Sequence, residues 1–128
     1  MNSRLLVADR APSVRETYCR FFSNHGYQVE AASDGVECLD KLRHFMPDVL
    51  VLEWQIQWGG GDGVLGWVRE KRSAFPIDVI VTSANGTPAA LAQPSSPPIV
   101  ACVKKPIPVE GLLEIVRGAA AARKFAIS

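Results

Sequence analysis

Short apolar runs alternate along the chain with segments in which apolar residues return at helical spacing. Leu5-Leu6-Val7-Ala8, Val49-Leu50-Val51-Leu52 and Val79-Ile80-Val81 are apolar at every position and rich in branched residues, the pattern of strands covered on both faces. Ile99 to Val103 reads the same way, while Tyr27 to Ala32, half polar, predicts a weaker strand nearer a sheet edge. Between the first two strands, Ser13 is expected to cap a helix running through His25, with Val14, Tyr18, Phe21 and Phe22 on its apolar side and Gly26 as its stop. Ser33-Asp34-Gly35 predicts a turn and cap before a helix over Val36 to Phe45, in which Val36, Leu39, Leu42 and Phe45 recur at helical spacing. Asp62 is the expected cap of a helix over Gly63 to Ala74, and a terminal helix is expected from Val109 to Lys124. The stretch Asn85 to Pro98 carries Pro88, Pro94, Pro97 and Pro98, leaving only Ala89 to Gln93 for a helix.

Strict alternation of strand and helix implies an α/β fold: a doubly wound, five-stranded parallel sheet of flavodoxin-like order 2-1-3-4-5 in a three-layer α/β/α arrangement. Chemistry in such sheets gathers at the C-terminal ends of the strands, at the switch point between strands one and three. Asp9 and Arg10 follow the first strand and Glu53 ends the third, so they are expected to face one another across that crevice. Thr82 closes the fourth strand, and Lys104-Lys105-Pro106 follows the fifth, on the same rim.

Composition narrows the picture without redirecting it. The sequence of 128 residues and 13.9 kDa suits a single domain over 1–128. A formal net charge of +1 gives no global pull towards nucleic acid or an anionic membrane. Arg117, Arg123 and Lys124 read as a solvated face, since no aromatic interleaving or DNA-binding module accompanies them. Cys19, Cys38 and Cys102 show no CxxC spacing and read as reduced, mostly buried thiols of a cytoplasmic protein, with no disulfide framework or zinc site. No signal-peptide core and no apolar stretch of membrane-spanning length is present in the sequence.

Leu6-Val7-Ala8-Asp9 with Ala11-Pro12-Ser13-Val14-Arg15, then Pro47-Asp48-Val49-Leu50-Val51-Leu52-Glu53, Thr82-Ser83-Ala84 and Lys105-Pro106 resemble the receiver domain of two-component response regulators over essentially the whole chain. In that family, two adjacent acids after strand one and an aspartate after strand three hold Mg²⁺. That aspartate takes a phosphoryl group from a histidine kinase, and a hydroxyl and a lysine contact its oxygens. By this resemblance Asp9 matches the first acid, Glu53 the phosphoacceptor, Thr82 the hydroxyl and Lys105 the lysine. Arg10 stands where the second acid belongs. Lys105-Pro106 matches a junction that is often a cis peptide, and Cys102 stands at the aromatic switch position, too small to act as that lever.

The departures imply a degenerate pseudo-receiver. Asp9 and Glu53 are balanced by Arg10 and Lys105, and an arginine offers donors but no acceptor to a cation that demands oxygen ligands. Mg²⁺ binding is expected to be lost, leaving no metal and no other cofactor, and Glu53 carries its oxygens one methylene too far for efficient attack. Glu53 then either projects charge towards Thr82 and Lys105 as a phospho-aspartate mimic or forms a structural ion pair with Arg10 or Lys105. The second reading carries more weight, because one carboxylate bears less charge than a phosphoryl group. For Cys102, a small core residue is favoured over a thiol activated by Lys104 and Lys105. The lengthened loop Trp54 to Gly63 places Trp54 and Trp58 either in a partner-binding patch or packed over the site, with packing expected for at least one.

The expected role is a non-enzymatic, phosphorylation-independent signalling module with a protein partner, a homodimer being one open arrangement, with no direct nucleic-acid or membrane contact. Two alternatives stand beside it: a receiver that still accepts phosphate, and a flavodoxin-like small-ligand or nucleotide binder.

Overall fold

A computed structural model of the chain describes residues 3–85 and 97–127, with side chains through residue 122. Five parallel strands, β1 (Arg4–Ala8), β2 (Gln28–Ala32), β3 (Val49–Glu53), β4 (Asp78–Ser83) and β5 (Ile99–Lys104), form one sheet in the order β2-β1-β3-β4-β5. Among the described residues four helices pack on it: α1 (Pro12–Ser23), α2 (Gly35–Phe45), α3 (Gly60–Glu70) and α4 (Val109–Ile127). The helix expected over Ala89 to Gln93 lies outside the described residues.

The unbroken apolar runs are explained by the two faces they serve. Leu6, Ala8, Leu50, Leu52, Val79 and Val81 point to one side, where they pack with Cys38 and Leu42 of α2 and Val64, Leu65 and Val68 of α3. Leu5, Val7, Val49, Val51 and Ile80 point to the other, against Tyr18 and Phe22 of α1 and Leu112, Leu113 and Val116 of α4. With both faces covered, a strand has no position left for a polar residue until it reaches its end. That end is the C-terminal rim, where Asp9, Glu53, Thr82 and Ser83 are the buried polar residues.

Several boundaries differ from expectation. Helix α1 starts at Pro12 with Ala11 as its N-cap and ends at Ser23, so Ser13 lies inside the helix and His25 beyond it. Proline at the first helical position presets the backbone for helix and needs no N–H partner, which moves the start ahead of the serine. Gly26, at φ 88°, turns the chain into β2. Helix α3 begins at Gly60, capped by Gly59, and Asp62 sits within its first turn and is not its cap. At its other end, the amides of Ala74 and Phe75 turn back to the Lys71 carbonyl, which stops α3 short of Ala74. Asp34 does cap α2, accepting the Glu37 amide at 2.8 Å, while the Glu37 carboxylate returns to the Ser33 amide at 2.6 Å. In β5 the pairing with β4 steps from Ile99 to Ala101, leaving Val100 as the bulged, exposed residue.

Candidate functional site

Four side chains from the ends of three strands and the loops after them meet in the crevice between β1 and β3. Parallel pairing sets Ala8 beside Leu52 and Glu53 beside Thr82, so the carboxylates of Asp9 and Glu53 emerge at one level. Both are almost wholly shielded from water, and a buried carboxylate requires partners.

Arg10 holds Glu53 in two ways. Its amide donates to Oε2 at 2.8 Å and its Nε donates to Oε1 at 3.0 Å. Main chain and side chain therefore grip the carboxylate together, in place of the two-pronged guanidinium fork that Arg–carboxylate pairs often use. Lys105 Nζ donates to Asp9 Oδ2 at 2.5 Å and lies 3.7 Å from Glu53 Oε1, which makes it a bridge between the two acids. The remaining oxygen, Asp9 Oδ1, accepts the Ala11 amide at 2.8 Å. Every carboxylate oxygen of the pair thus has a donor from this chain, and two cations balance two anions.

Thr82 lies beside Glu53 at the end of β4 and is buried. Its carbonyl accepts the Trp54 amide, and the Ser83 carbonyl accepts the Lys105 amide, so the rim of β4 is stitched to the segments that follow both β3 and β5. The Lys105–Pro106 bond is cis. Cys102 is half-buried against the core face shared with α2 and α3, and burial raises its thiol pKa. That direction runs against the activation by neighbouring lysines weighed from sequence. Among the three cysteines only Cys38 is fully buried; Cys19 and Cys102 are partly accessible.

The two loop tryptophans part company. Trp54 packs against the core, its ring lying where a Cβ on Gly61 would come within 2.4 Å. Trp58 is 71% exposed and adopts a left-handed backbone at φ 59°. It does not cover the site.

Three contributors carry only a faint signal in the sequence as members of the site. Arg15 reaches from α1 to the Asp9 carbonyl at 2.8 Å. Tyr18 lies buried beneath, its pKa raised by burial first and by the Asp9 charge second. Gln55 Nε2 bonds Ser83 Oγ at 3.1 Å, tying the lengthened loop to β4. Only the helical spacing that aims Arg15 and Tyr18 back along α1 could have suggested the first two.

Divalent cations take free carboxylate oxygens and water in a near-octahedral shell, whereas the oxygens of Asp9 and Glu53 face an ammonium, a guanidinium and two amides. Among the described residues, no group of three or more His, Cys, Asp and Glu side chains is gathered as for a metal ion. No described helix is long and apolar enough to cross a membrane.

Comparison with known proteins agrees with this architecture. Residues 5–117 match the model of the response regulator receiver domain. Response regulator MprA of Mycobacterium tuberculosis (strain ATCC 25177 / H37Ra) is 49% identical over 80 residues, and MprA of Mycobacterium bovis (strain BCG / Pasteur 1173P2) is 40% identical over 80 residues. Each alignment covers 62% of this chain and 35% of the relative, so the chain spans about a third of the length of these relatives. In fold, it superposes on a CheY-like response regulator receiver domain from Methanospirillum hungatei JF-1 with a TM-score of 0.88, at 17% identity and covering 98% of this chain and 99% of that one. Chemotaxis protein CheY4 of Vibrio cholerae gives a TM-score of 0.81 at 21% identity, covering 91% of this chain and 98% of that one.

Proposed function

The chain belongs to the response regulator receiver domain family, and from that premise we propose that it is a two-component signalling domain whose action does not depend on phosphoryl transfer. The observation that carries this reading is the saturation of the site: each oxygen of Asp9 and Glu53 already accepts a hydrogen bond from this chain. Phosphoryl transfer needs a free, well-placed carboxylate oxygen and a metal ion to offset developing charge. Here the acceptor position holds a glutamate whose oxygens are engaged by Arg10, and the Arg10 guanidinium and Lys105 ammonium supply the countercharge a cation would bring.

In this reading Mg²⁺ is not taken up, Glu53 is a structural tie between β1 and β3, and the domain has no enzymatic activity of its own. Output comes from constitutive contact with a protein partner in the cytoplasm, through surfaces that the family otherwise controls by phosphorylation. Cys102 supports the same view, because a small half-buried thiol cannot report the state of Thr82 by swinging between inward and outward positions.

Incubation with acetyl phosphate and Mg²⁺, followed by intact-mass analysis, tests the reading. An unchanged mass is expected. A gain of one phosphoryl group that disappears in Glu53→Gln would overturn it.

A further inference from the structure

Trp58 combines strain with exposure. A left-handed backbone is strained for a bulky residue, and a side chain 71% exposed recovers little of that cost by burial. Glycine would sit at φ 59° without penalty, as Gly59 and Gly60 do beside it at 99° and 64°. The folded state therefore gains nothing from tryptophan at this position, and a local rule broken without structural return points to function.

The position is also held firmly. Gly35 donates its amide to the Gln57 carbonyl at 2.7 Å, and a Cβ on Gly35 would come within 2.0 Å of the Trp58 carbonyl oxygen. The loop is thus seated on the first turn of α2, and the next residue of that turn, Val36, is itself 65% exposed. Two large exposed apolar residues are borne on backbones that meet at one point.

The charges around them have one sign. The N-terminal ends of α2 and α3 that flank the patch carry Asp34, Glu37 and Asp62, whereas Arg43, His44 and Arg69 lie in the last turns of the same helices. Lys41, between them in α2, is bonded to Glu30 at 2.8 Å. Arg10 and Lys105 on the rim are committed to Glu53 and Asp9. Asp34 and Glu37 also cap α2, a role that leaves their negative charge in place.

We propose that Trp58 and Val36 form a docking surface for a protein partner that presents an apolar surface rimmed by lysine and arginine. Trp58 is the anchor: an exposed aromatic on a pinned backbone loses little conformational freedom on binding, which is the character of an interface hot spot. The acidic rim sets partner choice and association rate more than affinity. This assignment names the partner class for the interaction domain proposed above and rests on that reading.

The test uses the full chain and two helical amphipathic peptides, one of leucine and lysine and one of leucine and glutamate, titrated calorimetrically. The Leu/Lys peptide is expected to bind, more weakly as salt rises, and the Leu/Glu peptide is not. Trp58→Gly and Trp58→Asn, both compatible with a left-handed backbone, should weaken binding about tenfold or more with a melting temperature equal to or above that of the parent. Glu37→Gln with Asp62→Asn should weaken it while leaving Trp58 fluorescence unchanged in the free protein. Absence of binding, equal binding of both peptides, or binding indifferent to Trp58 would each overturn the proposal. So would a lowered melting temperature in both Trp58 variants, or self-association of the chain that Trp58→Gly abolishes, which would make a second copy the occupant. Failure of the phosphorylation-independent reading is seen separately, as a mass gain with acetyl phosphate.

Discussion

Arg10 binds Glu53 through its backbone amide at 2.8 Å and its side-chain Nε at 3.0 Å, so a single residue satisfies both oxygens of a carboxylate that is 4% exposed. The amide contact survives any side-chain substitution at residue 10 except proline. Only the guanidinium contact carries charge, and because that side chain is about half exposed its contribution is discounted by solvent screening.

A double-mutant cycle measures that contact. Arg10→Met and Glu53→Gln should each lower stability by about 1–2 kcal/mol in urea unfolding, and the double variant should lose little more than either alone, because each removes the same interaction. Additivity within about 0.5 kcal/mol would show that Lys105, 3.7 Å from Glu53 Oε1, is its effective partner.

The second expectation concerns the cation. Calorimetric titration with Mg²⁺ should give negligible heat for the parent and for Glu53→Asp, since Arg10 still places a positive charge in the crevice. Arg10→Asp combined with Glu53→Asp adds a carboxylate, removes the guanidinium and should bind Mg²⁺ measurably. Negligible binding in all three would assign the closure of the site to the Lys105 ammonium on Asp9 or to the loop after β3.

The sheet was legible in the sequence because burial on both faces leaves uninterrupted apolar runs, as in Val49-Leu50-Val51-Leu52, and because the first polar residue after each run marks the rim. Asp9, Arg10, Glu53 and Lys105 could be brought together from strand order alone. How Arg10 holds Glu53 could not, since half of that grip is an amide that every residue but proline possesses. The start of α3 was misjudged for a related reason: three successive residues at positive φ, Trp58 to Gly60, place the cap ahead of Asp62, and one of them is a tryptophan. Nor did the sequence separate Trp54 from Trp58. The distinction depends on Gly61, whose missing Cβ admits one ring, and on Gly35, whose missing Cβ seats the backbone of the other.

Alkaline pH should destabilise the fold. Burial, followed by the Asp34 and Glu37 charges, pushes the Cys38 thiol from 9.0 up to about 12. Burial likewise raises Cys19, Cys102 and Tyr18. In each case the folded chain keeps a proton that the unfolded chain releases, so stability is full below pH 9 and falls between pH 9 and about 12. Cys38 by itself contributes a slope of up to about 1.4 kcal/mol per pH unit within that window. Urea midpoints from pH 8 to 11 should show the decline, and Cys38→Ala should flatten it while lowering stability at neutral pH. A flat profile in the parent would mean that the thiol ionises as readily folded as unfolded.

Two helical glycines should respond to alanine with opposite signs. Gly66 lies within α3 with no atom within 4 Å of the position a Cβ would take. Gly66→Ala therefore reduces the entropy lost on folding without a clash and should stabilise by about 0.5–1 kcal/mol. Gly35 opens α2, but its Cβ would stand 2.0 Å from the Trp58 carbonyl oxygen and 3.2 Å from that of Gln57. These are backbone atoms and cannot rotate away, so Gly35→Ala must displace the loop or the helix end, at a cost of about 1–3 kcal/mol. The displacement should also alter Trp58 emission, which Gly66→Ala should leave unchanged. If Gly35→Ala proved neutral, the loop after β3 would not be seated on α2, and the fixed placement of Trp58 on which its docking role depends would be lost with it.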